Sequence, residues 1–230
     1  MPGSVLITGG TGGLGAGVTR AFLDGGWRVV VPLYDEKERE RVEANDNLVL
    51  ELADLLDPQS ANAIVELAAS QEDAPLRAVV NLVGGYAAGG RVHETPIEDF
   101  EAQLRLNLRP TYLVTQAALP HLVAAGGGAV VCVSSRAALR PFRGAAGYVT
   151  SKAAVLAFVD ALAVEYRNDY VRANAILPSV IDTPANRRSM PDADHDTWVA
   201  PEQIASVVRF LCEDGSAAIS GAHIPVYGRA

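Results

Sequence analysis

The chain contains little cysteine, few aromatic residues and too few positive charges to balance its acids. Its 230 residues include two cysteines and 6% aromatic residues, and 27 Asp and Glu outnumber 19 Lys and Arg, which gives a net charge of −8. A nucleic-acid-binding protein needs a basic surface to neutralise phosphates, so we expect no nucleic-acid partner. Any anionic ligand must therefore be held by local geometry.

The cysteines, the histidines and the apolar runs bear on the cellular compartment, on membrane association and on metal binding. Cys132 and Cys212 each lie within an apolar run, which predicts free, buried thiols in a reducing compartment. The sequence has neither signal-peptide features before the first predicted strand nor an uninterrupted apolar run of about 18 residues, so we expect a cytoplasmic protein with no membrane partner. No metal is expected, because metal-ligand spacing is absent from the four histidines, His93, His121, His195 and His223.

What the chain does contain is a regular alternation of apolar runs and helical periodicities. Strands are predicted at 4–7, 28–32, 47–52, 77–83, 129–133, 170–177 and 223–226. Helices are predicted at 16–23, 58–70, 96–122, 148–166 and 201–212, and an irregular substrate-lid segment at about 184–200, with Met190 and Trp198 as candidate lid or packing residues. This alternation indicates a single α/β domain over 1–230, a doubly wound parallel sheet of about seven strands with helices on both faces.

A glycine-rich turn links the first predicted strand to the first predicted helix. It comprises Thr8, Gly9, Gly10, Thr11, Gly12, Gly13, Leu14 and Gly15. Glycines let the backbone approach a pyrophosphate closely, and the amides at the start of the following helix point towards it. Because the turn directly follows an apolar strand, it indicates a dinucleotide-binding site more strongly than a glycine pattern alone would.

Tyr148 and Lys152 are four residues apart in a predicted helix, which places both side chains on one face. A phenol with a pKa near 10 is a poor acid at neutral pH, and a cation about 4 Å away supplies roughly the 4 kcal/mol needed to bring that pKa to about 7. We therefore expect Lys152 to lower the pKa of Tyr148, with partial burial of the phenol acting against it.

Polar residues also follow the other predicted strands, at the edge where ligands bind an open parallel sheet. Asn81 and Gly84 follow the fourth strand, Ser134 and Ser135 follow the fifth, and the segment 178–183 follows the sixth. We interpret Ser134 as a strand-end hydrogen bonder and Ser135 as the functional serine. The convergence of these residues at one edge predicts a single ligand site.

Together these motifs resemble the short-chain dehydrogenase/reductase family over nearly the whole chain. The family's T-G-x-x-x-G-x-G, its Y-x-x-x-K and its serine thirteen residues before the tyrosine are matched by Thr8, Gly9, Gly13, Gly15, Tyr148, Lys152 and Ser135. The family's helix asparagine and adenine-contacting acid are matched by Asn107 and Asp54. Its N-A-G motif is matched in part by Asn81 and Gly84, and its P-G-x-x-x-T by Pro178 and Thr183 with Ser179 in place of glycine.

The resemblance implies a Rossmann fold and an NAD(P)-dependent oxidoreductase that transfers a hydride between the nicotinamide and a carbonyl or alcohol. It implies that Tyr148 is the general acid/base, that Ser135 polarises the carbonyl and that Lys152 holds the nicotinamide ribose. Asn107 would anchor a water in a proton relay. The cofactor-binding residues that it implies are Thr8, Gly9, Gly10, Thr11, Gly12, Gly13, Leu14, Gly15, Tyr34, Asp54, Leu55, Asn81, Val83, Gly84, Tyr148, Lys152, Pro178, Ile181 and Thr183.

The choice between NAD and NADP stays open. Dinucleotide-binding domains often place an acid at the end of the second strand to hold the ribose hydroxyls. Here Leu33 and Tyr34 occupy that place, and the first acid is Asp35. No clear arginine for a 2′-phosphate follows, since Lys37 and Arg39 lie among acids.

Two alternative functions stay open. The segments 84–90 and 177–191 resemble the dihydropteridine-reductase branch, which suggests a pterin or imine reductase, although that branch usually lacks counterparts of Ser135 and Asn107. A catalytically silent dinucleotide-binding sensor or scaffold is the alternative from another class. The resemblance also implies a homodimer or homotetramer in which the helices 97–122 and 148–166 pack across subunits.

Overall fold

The computed structural model describes residues 3–229 and contains one sheet of seven parallel strands. The strands are β1 (Ser4–Thr8), β2 (Arg28–Leu33), β3 (Leu48–Leu52), β4 (Leu76–Asn81), β5 (Gly128–Val133), β6 (Val171–Pro178) and β7 (His223–Val226). They lie in the order β3-β2-β1-β4-β5-β6-β7. The order reverses between β1 and β4, and a ligand crevice is expected at the carboxyl ends of those two strands.

Helices cover both faces of the sheet. They are α1 (Gly15–Asp24), α2 (Pro58–Ala69), α3 (Ile97–Asn107), α4 (Arg109–Ala124), α5 (Ala146–Glu165), α6 (Pro184–Ser189) and α7 (Pro201–Cys212). Helices α2, α4 and α5 contribute to the core on one face, and α1 and α7 contribute to the core on the other. The predicted single domain with a doubly wound parallel sheet is therefore confirmed.

The two cores follow from the alternation of side chains along each strand. In β1, Leu6 packs into the core beneath α2, α4 and α5, while Val5 and Ile7 pack into the core beneath α1 and α7. All five residues of β1 are buried. A strand that is buried on both faces needs apolar side chains at consecutive positions, and Val5, Leu6 and Ile7 provide them.

The helix predicted over 96–122 is wrong as a single element, because α3 ends at Asn107 and α4 begins at Arg109. Pro110 explains the break. Its nitrogen carries no hydrogen, and its ring clashes with the carbonyl four residues earlier, that of Leu106, in an unbroken helix. The break places Asn107 at the last position of α3, where its side chain is buried.

The segment 184–200 is more regular than predicted. Thr183 caps α6, its Oγ1 accepting a hydrogen bond from the Asn186 amide at 3.2 Å. A short 3-10 helix follows at His195–Thr197. Trp198 is only 9% exposed and lies against the His195 ring with centroids 4.4 Å apart, so Trp198 is a packing residue, whereas Met190 is exposed. Short polar helix starts such as Thr183-Pro184 give this segment its local order.

Among residues 3–229, α5 alone is long and apolar enough, by length and composition, to cross a membrane. Ser151, Lys152, Val155, Leu156 and Val159 of this helix are nevertheless buried within the protein. The helix therefore forms part of the core. Only 33% of its most apolar window is buried, and an apolar outer face remains.

Candidate active site

The glycine-rich turn is joined to the end of β4 through a single threonine. Thr8 Oγ1 accepts hydrogen bonds from the Leu82 amide at 3.1 Å and the Val83 amide at 3.3 Å. In the sheet, Thr8 pairs with Asn81. The turn after β1 and the turn after β4 thus meet at the point where the strand order reverses.

The geometry of the turn requires glycine at two positions in particular. Gly9 has a φ of +68°, in the left-handed region that favours glycine. A methyl group on Gly15 would overlap the Gly9 carbonyl oxygen. The backbone consequently folds tightly on itself and presents the start of α1, where helix amides carry partial positive charge, to an anionic ligand.

A groove of about 540 Å³ follows this turn. The predicted cofactor residues that line it are Gly9, Thr11, Gly12, Gly13, Leu14, Gly15, Tyr34, Asp54, Leu55, Val83 and Gly84. The sequence interpretation missed other residues of its wall, which are Pro32, Glu38, Arg41, Ala53, Leu56, Leu82, Leu106 and Pro110. Pro32 lies in β2, Leu106 in α3 and Pro110 in α4, so these wall residues come from distant parts of the chain, and the sequence carries no local signal for them.

Three predicted cofactor residues support the groove from below. Thr8 makes the contacts described above, and the Gly10 carbonyl accepts a hydrogen bond from Thr19 Oγ1 at 3.0 Å. Asn81 is buried and donates from Nδ2 to Thr115 Oγ1 at 3.0 Å. None of the three lines the groove.

Thr183, in the segment after β6, packs against the glycine turn. A methyl group on Gly13 would lie 3.0 Å from Thr183 Cγ2. The Ile181 carbonyl accepts a hydrogen bond from Asn186 Nδ2 at 2.8 Å, and Pro178 is the last residue of β6. Thr183 therefore stands beside the glycine turn, and Pro178 and Ile181 lie in the segment that leads to it.

Tyr148 lies in the first turn of α5, and burial raises the pKa of its phenol. Its interaction with Ser135 lowers that pKa, and Tyr86 raises it further. The prediction that Lys152 lowers the pKa of Tyr148 is not met in this structure, because burial of the phenol outweighs the opposing effects. The result is a phenol that is protonated at neutral pH and is held beside the Ser135 hydroxyl.

Lys152 is almost fully buried, with 5% of its surface exposed. Its Nζ donates a hydrogen bond to the Val133 carbonyl at 2.9 Å, and burial lowers its pKa to about 8. The ammonium is thus directed to the end of β5. Burial of a charge with one neutral acceptor is costly, which is typical of a functional rather than a structural lysine.

Gly84 brings Lys152 and Asn107 to one place. A methyl group on Gly84 would lie 2.6 Å from Asn107 Oδ1 and 3.0 Å from Lys152 Nζ. Asn107 also binds both backbone groups of Gly85. Its Oδ1 accepts a hydrogen bond from the Gly85 amide at 3.0 Å, and its Nδ2 donates one to the Gly85 carbonyl at 3.1 Å. Asn107 therefore positions the turn after β4 directly through protein atoms.

The two serines after β5 have different partners. Ser134 is buried, and its Oγ donates to the Lys152 carbonyl at 2.7 Å, which confirms its interpretation as a strand-end hydrogen bonder. Ser135 Oγ accepts a hydrogen bond from the Ala137 amide at 3.1 Å and is half-buried. Its hydroxyl hydrogen remains free to reach the phenol or a substrate oxygen.

Aromatic side chains that the sequence interpretation missed surround the phenol. The Tyr86 ring meets the Tyr148 ring edge-on, with centroids 5.1 Å apart, and lies 6.2 Å from the Phe142 ring. The Gly89 amide donates to the Gly144 carbonyl at 2.8 Å, which ties the loops of Tyr86 and Phe142 together. Both rings are exposed, and they form an apolar wall beside the reacting hydroxyl. The only sequence signal was an aromatic residue directly after the glycine pair that follows β4.

A nicotinamide dinucleotide fits the residues present. The groove begins at the glycine turn and the start of α1, which suit a pyrophosphate, and extends to Gly84, which adjoins Lys152 and Asn107. Within residues 3–229, no group of three or more His, Cys, Asp or Glu side chains could hold a metal ion. The site therefore combines a dinucleotide cradle with a phenol, a hydroxyl and a buried amine.

Comparisons with known proteins agree with this geometry. A family model described as short chain dehydrogenase matches residues 4–194, and the chain belongs to that family. The 2-(R)-hydroxypropyl-CoM dehydrogenase of Xanthobacter autotrophicus is 31% identical over 97% of this chain and 96% of the relative. The 2,5-dichloro-2,5-cyclohexadiene-1,4-diol dehydrogenase LinX of Sphingobium indicum is also 31% identical, over 97% of this chain and 94% of the relative.

A solved structure gives the same result. The 3-ketoacyl-(acyl-carrier-protein) reductase from Brucella melitensis, complexed with NADH, is similar with a TM-score of 0.87 and 29% identity, over 99% of this chain and 98% of that one. This chain is accordingly an NAD(P)-dependent oxidoreductase of the short-chain type. The local resemblance to the dihydropteridine-reductase branch receives no support from these relatives.

Gly84→Ala should reduce kcat by roughly tenfold or more and lower the free energy of unfolding by about 1–3 kcal/mol. The added methyl group must displace Asn107 Oδ1 or Lys152 Nζ. Gly89→Ala is a matched control, because a methyl group there meets nothing within 4 Å. Steady-state kinetics and urea unfolding measure both effects, and equal activity of the two variants would contradict the placement of Gly84.

Proposed function

We propose that the chain transfers a hydride reversibly between a nicotinamide cofactor and a secondary alcohol or ketone, with Tyr148 as the proton donor and acceptor. The observation that carries this proposal is the Tyr148 phenol beside Ser135, in the same helix as a buried Lys152 that adjoins Gly84 at the end of the groove. The bound cofactor supplies or takes the hydride. The protein binds the substrate, polarises it and moves the proton.

Each side chain has one task in this proposal. In reduction, Tyr148 donates its proton to the developing alkoxide, and its raised pKa keeps that proton available at neutral pH. The Ser135 hydroxyl donates a hydrogen bond to the same oxygen. Lys152, whose ammonium lies next to Gly84 at the end of the groove, would hold the ribose of the nicotinamide. Asn107 holds the turn after β4 in register and is a candidate to anchor a water beside Lys152.

The substrate that suits the site is a secondary alcohol or ketone with an apolar body. Tyr86 and Phe142 are exposed beside the phenol and offer apolar contact area. Two relatives that match almost the whole chain are named for dehydrogenation of alcohols. The segment around α6 stands beside the site, and we propose that it closes over the substrate.

A three-way assay tests this function. Oxidation of NADH and NADPH is followed with ketones such as cyclohexanone and ethyl acetoacetate, with a quinonoid dihydropterin and with cyclic imines. Turnover of ketones supports the proposal. Turnover of only the pterin or imine supports the pterin or imine reductase, and tight cofactor binding without any turnover supports a sensor.

We further propose a cytoplasmic homodimer or homotetramer assembled through α5. Ala157, Ala161 and Val164 lie on the exposed face of this helix, and Ala154 is half-buried beside them. Small residues allow two copies of α5 to approach closely. The free, buried thiols of the chain are in keeping with a reducing compartment.

Ala157→Glu should dissociate the assembly, because it places a carboxylate at the centre of the proposed interface. Light scattering coupled to gel filtration should show the mass of one chain for this variant and a multiple of it for the wild type. Ala63→Glu, on the exposed face of α2, is the control and should leave the mass unchanged. A wild-type protein that elutes as one chain at micromolar concentration would contradict the proposed assembly.

A further inference from the structure

Two carboxylates line the groove, Asp54 and Glu38, and Glu38 is the one that follows β2. It lies on the short 3-10 helix Glu36–Arg41, which follows β2. The groove wall near it also includes Tyr34, Thr11 and Arg41. The end of the second strand, next to the glycine turn, is where dinucleotide-binding domains hold the adenosine ribose.

The acid nearest to β2 in sequence, Asp35, does not line the groove. Asp35 caps the 3-10 helix, and its Oδ1 accepts a hydrogen bond from the Lys37 amide at 2.9 Å. Tyr34, at the position directly after β2, is 83% exposed and carries no charge. The residue directly after β2 is therefore not an acid, and another residue must bind the hydroxyls of the adenosine ribose.

Glu38 folds back into that place. Its Oε2 accepts hydrogen bonds from Thr11 Oγ1 at 3.0 Å and from the Tyr34 amide at 3.4 Å. The Glu38 side chain is only 18% exposed, although it belongs to a short surface helix. One carboxylate thus connects the glycine turn to the end of β2.

The same carboxylate also forms an ion pair with Arg41 in the groove wall. Arg41 Nη1 donates to Glu38 Oε1 at 3.2 Å, and the Arg41 side chain is 56% exposed. An arginine at this position would otherwise be suited to a 2′-phosphate, which carries a charge close to −2 at neutral pH. Glu38 therefore opposes a phosphate in two ways, by direct repulsion and by engaging the guanidinium.

We propose that Glu38 selects NAD(H) over NADP(H), accepting hydrogen bonds from the adenosine ribose hydroxyls and keeping Arg41 from a 2′-phosphate. This inference rests on the proposed function only for the presence of a dinucleotide in the groove. It follows that the wild type binds NADH more tightly than NADPH by roughly tenfold or more. It also follows that removing the Glu38 charge releases Arg41 and improves NADPH binding.

The test measures binding rather than turnover. Dissociation constants of NADH and NADPH are obtained from the fluorescence of the reduced nicotinamide for the wild type and for Glu38→Gln. The double variant Glu38→Gln/Arg41→Ala separates the repulsion from the released arginine. Glu36→Gln is the matched control, since Glu36 lies on the same 3-10 helix, pairs with Arg39 and does not line the groove. Circular dichroism melts establish that each variant is folded.

Glu38→Gln should weaken NADH, tighten NADPH and shrink the ratio of the two dissociation constants by roughly tenfold or more. Arg41→Ala in that background should remove the gain in NADPH affinity, and Glu36→Gln should leave the ratio unchanged. Equal affinity of the wild type for both cofactors, or an unchanged ratio in Glu38→Gln, would overturn the inference while the oxidoreductase function stands. Failure of the wild type to bind either cofactor would contradict both.

Discussion

Tyr148→Phe should lower kcat by roughly 10²- to 10⁴-fold, the usual contribution of a positioned general acid. The substitution removes the phenolic oxygen that donates the proton and leaves the ring that packs edge-on against Tyr86. Cofactor affinity should stay within a factor of about two, because the glycine turn and Lys152 are unchanged. The loss should therefore appear in the chemical step rather than in binding.

Single-turnover mixing of enzyme, reduced cofactor and ketone measures that step directly. Tyr170→Phe is a suitable control, since Tyr170 is 78% exposed and lies between α5 and β6, away from the groove. The control should match the wild type in rate and affinity. Hydride transfer by Tyr148→Phe at close to the wild-type rate would show that another group supplies the proton.

Lys152→Met should stabilise the cofactor-free protein by about 2 kcal/mol at pH 7 while it abolishes most of the activity. Burial lowers the pKa of Lys152 from 10.5 to about 8, so folding must pay to keep the ammonium charged below pH 8. That penalty amounts to about 3 kcal/mol, and loss of the hydrogen bond to the Val133 carbonyl offsets about 1 kcal/mol of the gain.

The pH dependence identifies the cause of the stabilisation. A depressed folded-state pKa removes stability from the wild type as the pH falls from about 10.5 to about 8, and the loss is complete below that range. The advantage of Lys152→Met should therefore be constant below pH 8, shrink as the pH rises and become a disadvantage of about 1 kcal/mol above pH 10.5, where only the lost hydrogen bond remains. Urea unfolding at several pH values measures it. An advantage that is the same at every pH would instead indicate better packing of methionine.

The fold could be predicted from the sequence because its strands are short apolar runs between helical periodicities. β1 is buried on both faces and gives a continuous apolar run. The turn that follows it needs glycine because its backbone packs tightly against itself. The boundary between α3 and α4 at Leu108 could also be predicted from the sequence, because Pro110 disfavours an unbroken helix there. The short helices in 184–200 are harder to predict, because α6 has only six residues and therefore gives little periodic signal.

The candidate site could be predicted where its residues form a motif, and not where they meet only in space. The spacing of Tyr148 and Lys152 indicates one face of α5 but does not reveal that burial raises the pKa of the phenol. Tyr86 approaches Tyr148 through a loop that is tied to Gly144. Glu38 enters the groove because a 3-10 helix turns back towards Thr11, for which the sequence has no periodic signal.

The most direct test of the account follows the transferred hydrogen itself. Wild type and Tyr148→Phe are incubated with a ketone substrate and a reduced cofactor that carries deuterium at both C4 positions, and the product is analysed by mass spectrometry. We expect one deuterium on the alcohol carbon with the wild type and, in the same time, little product with the variant. An alcohol that contains no deuterium, or equal product from the two proteins, would contradict it.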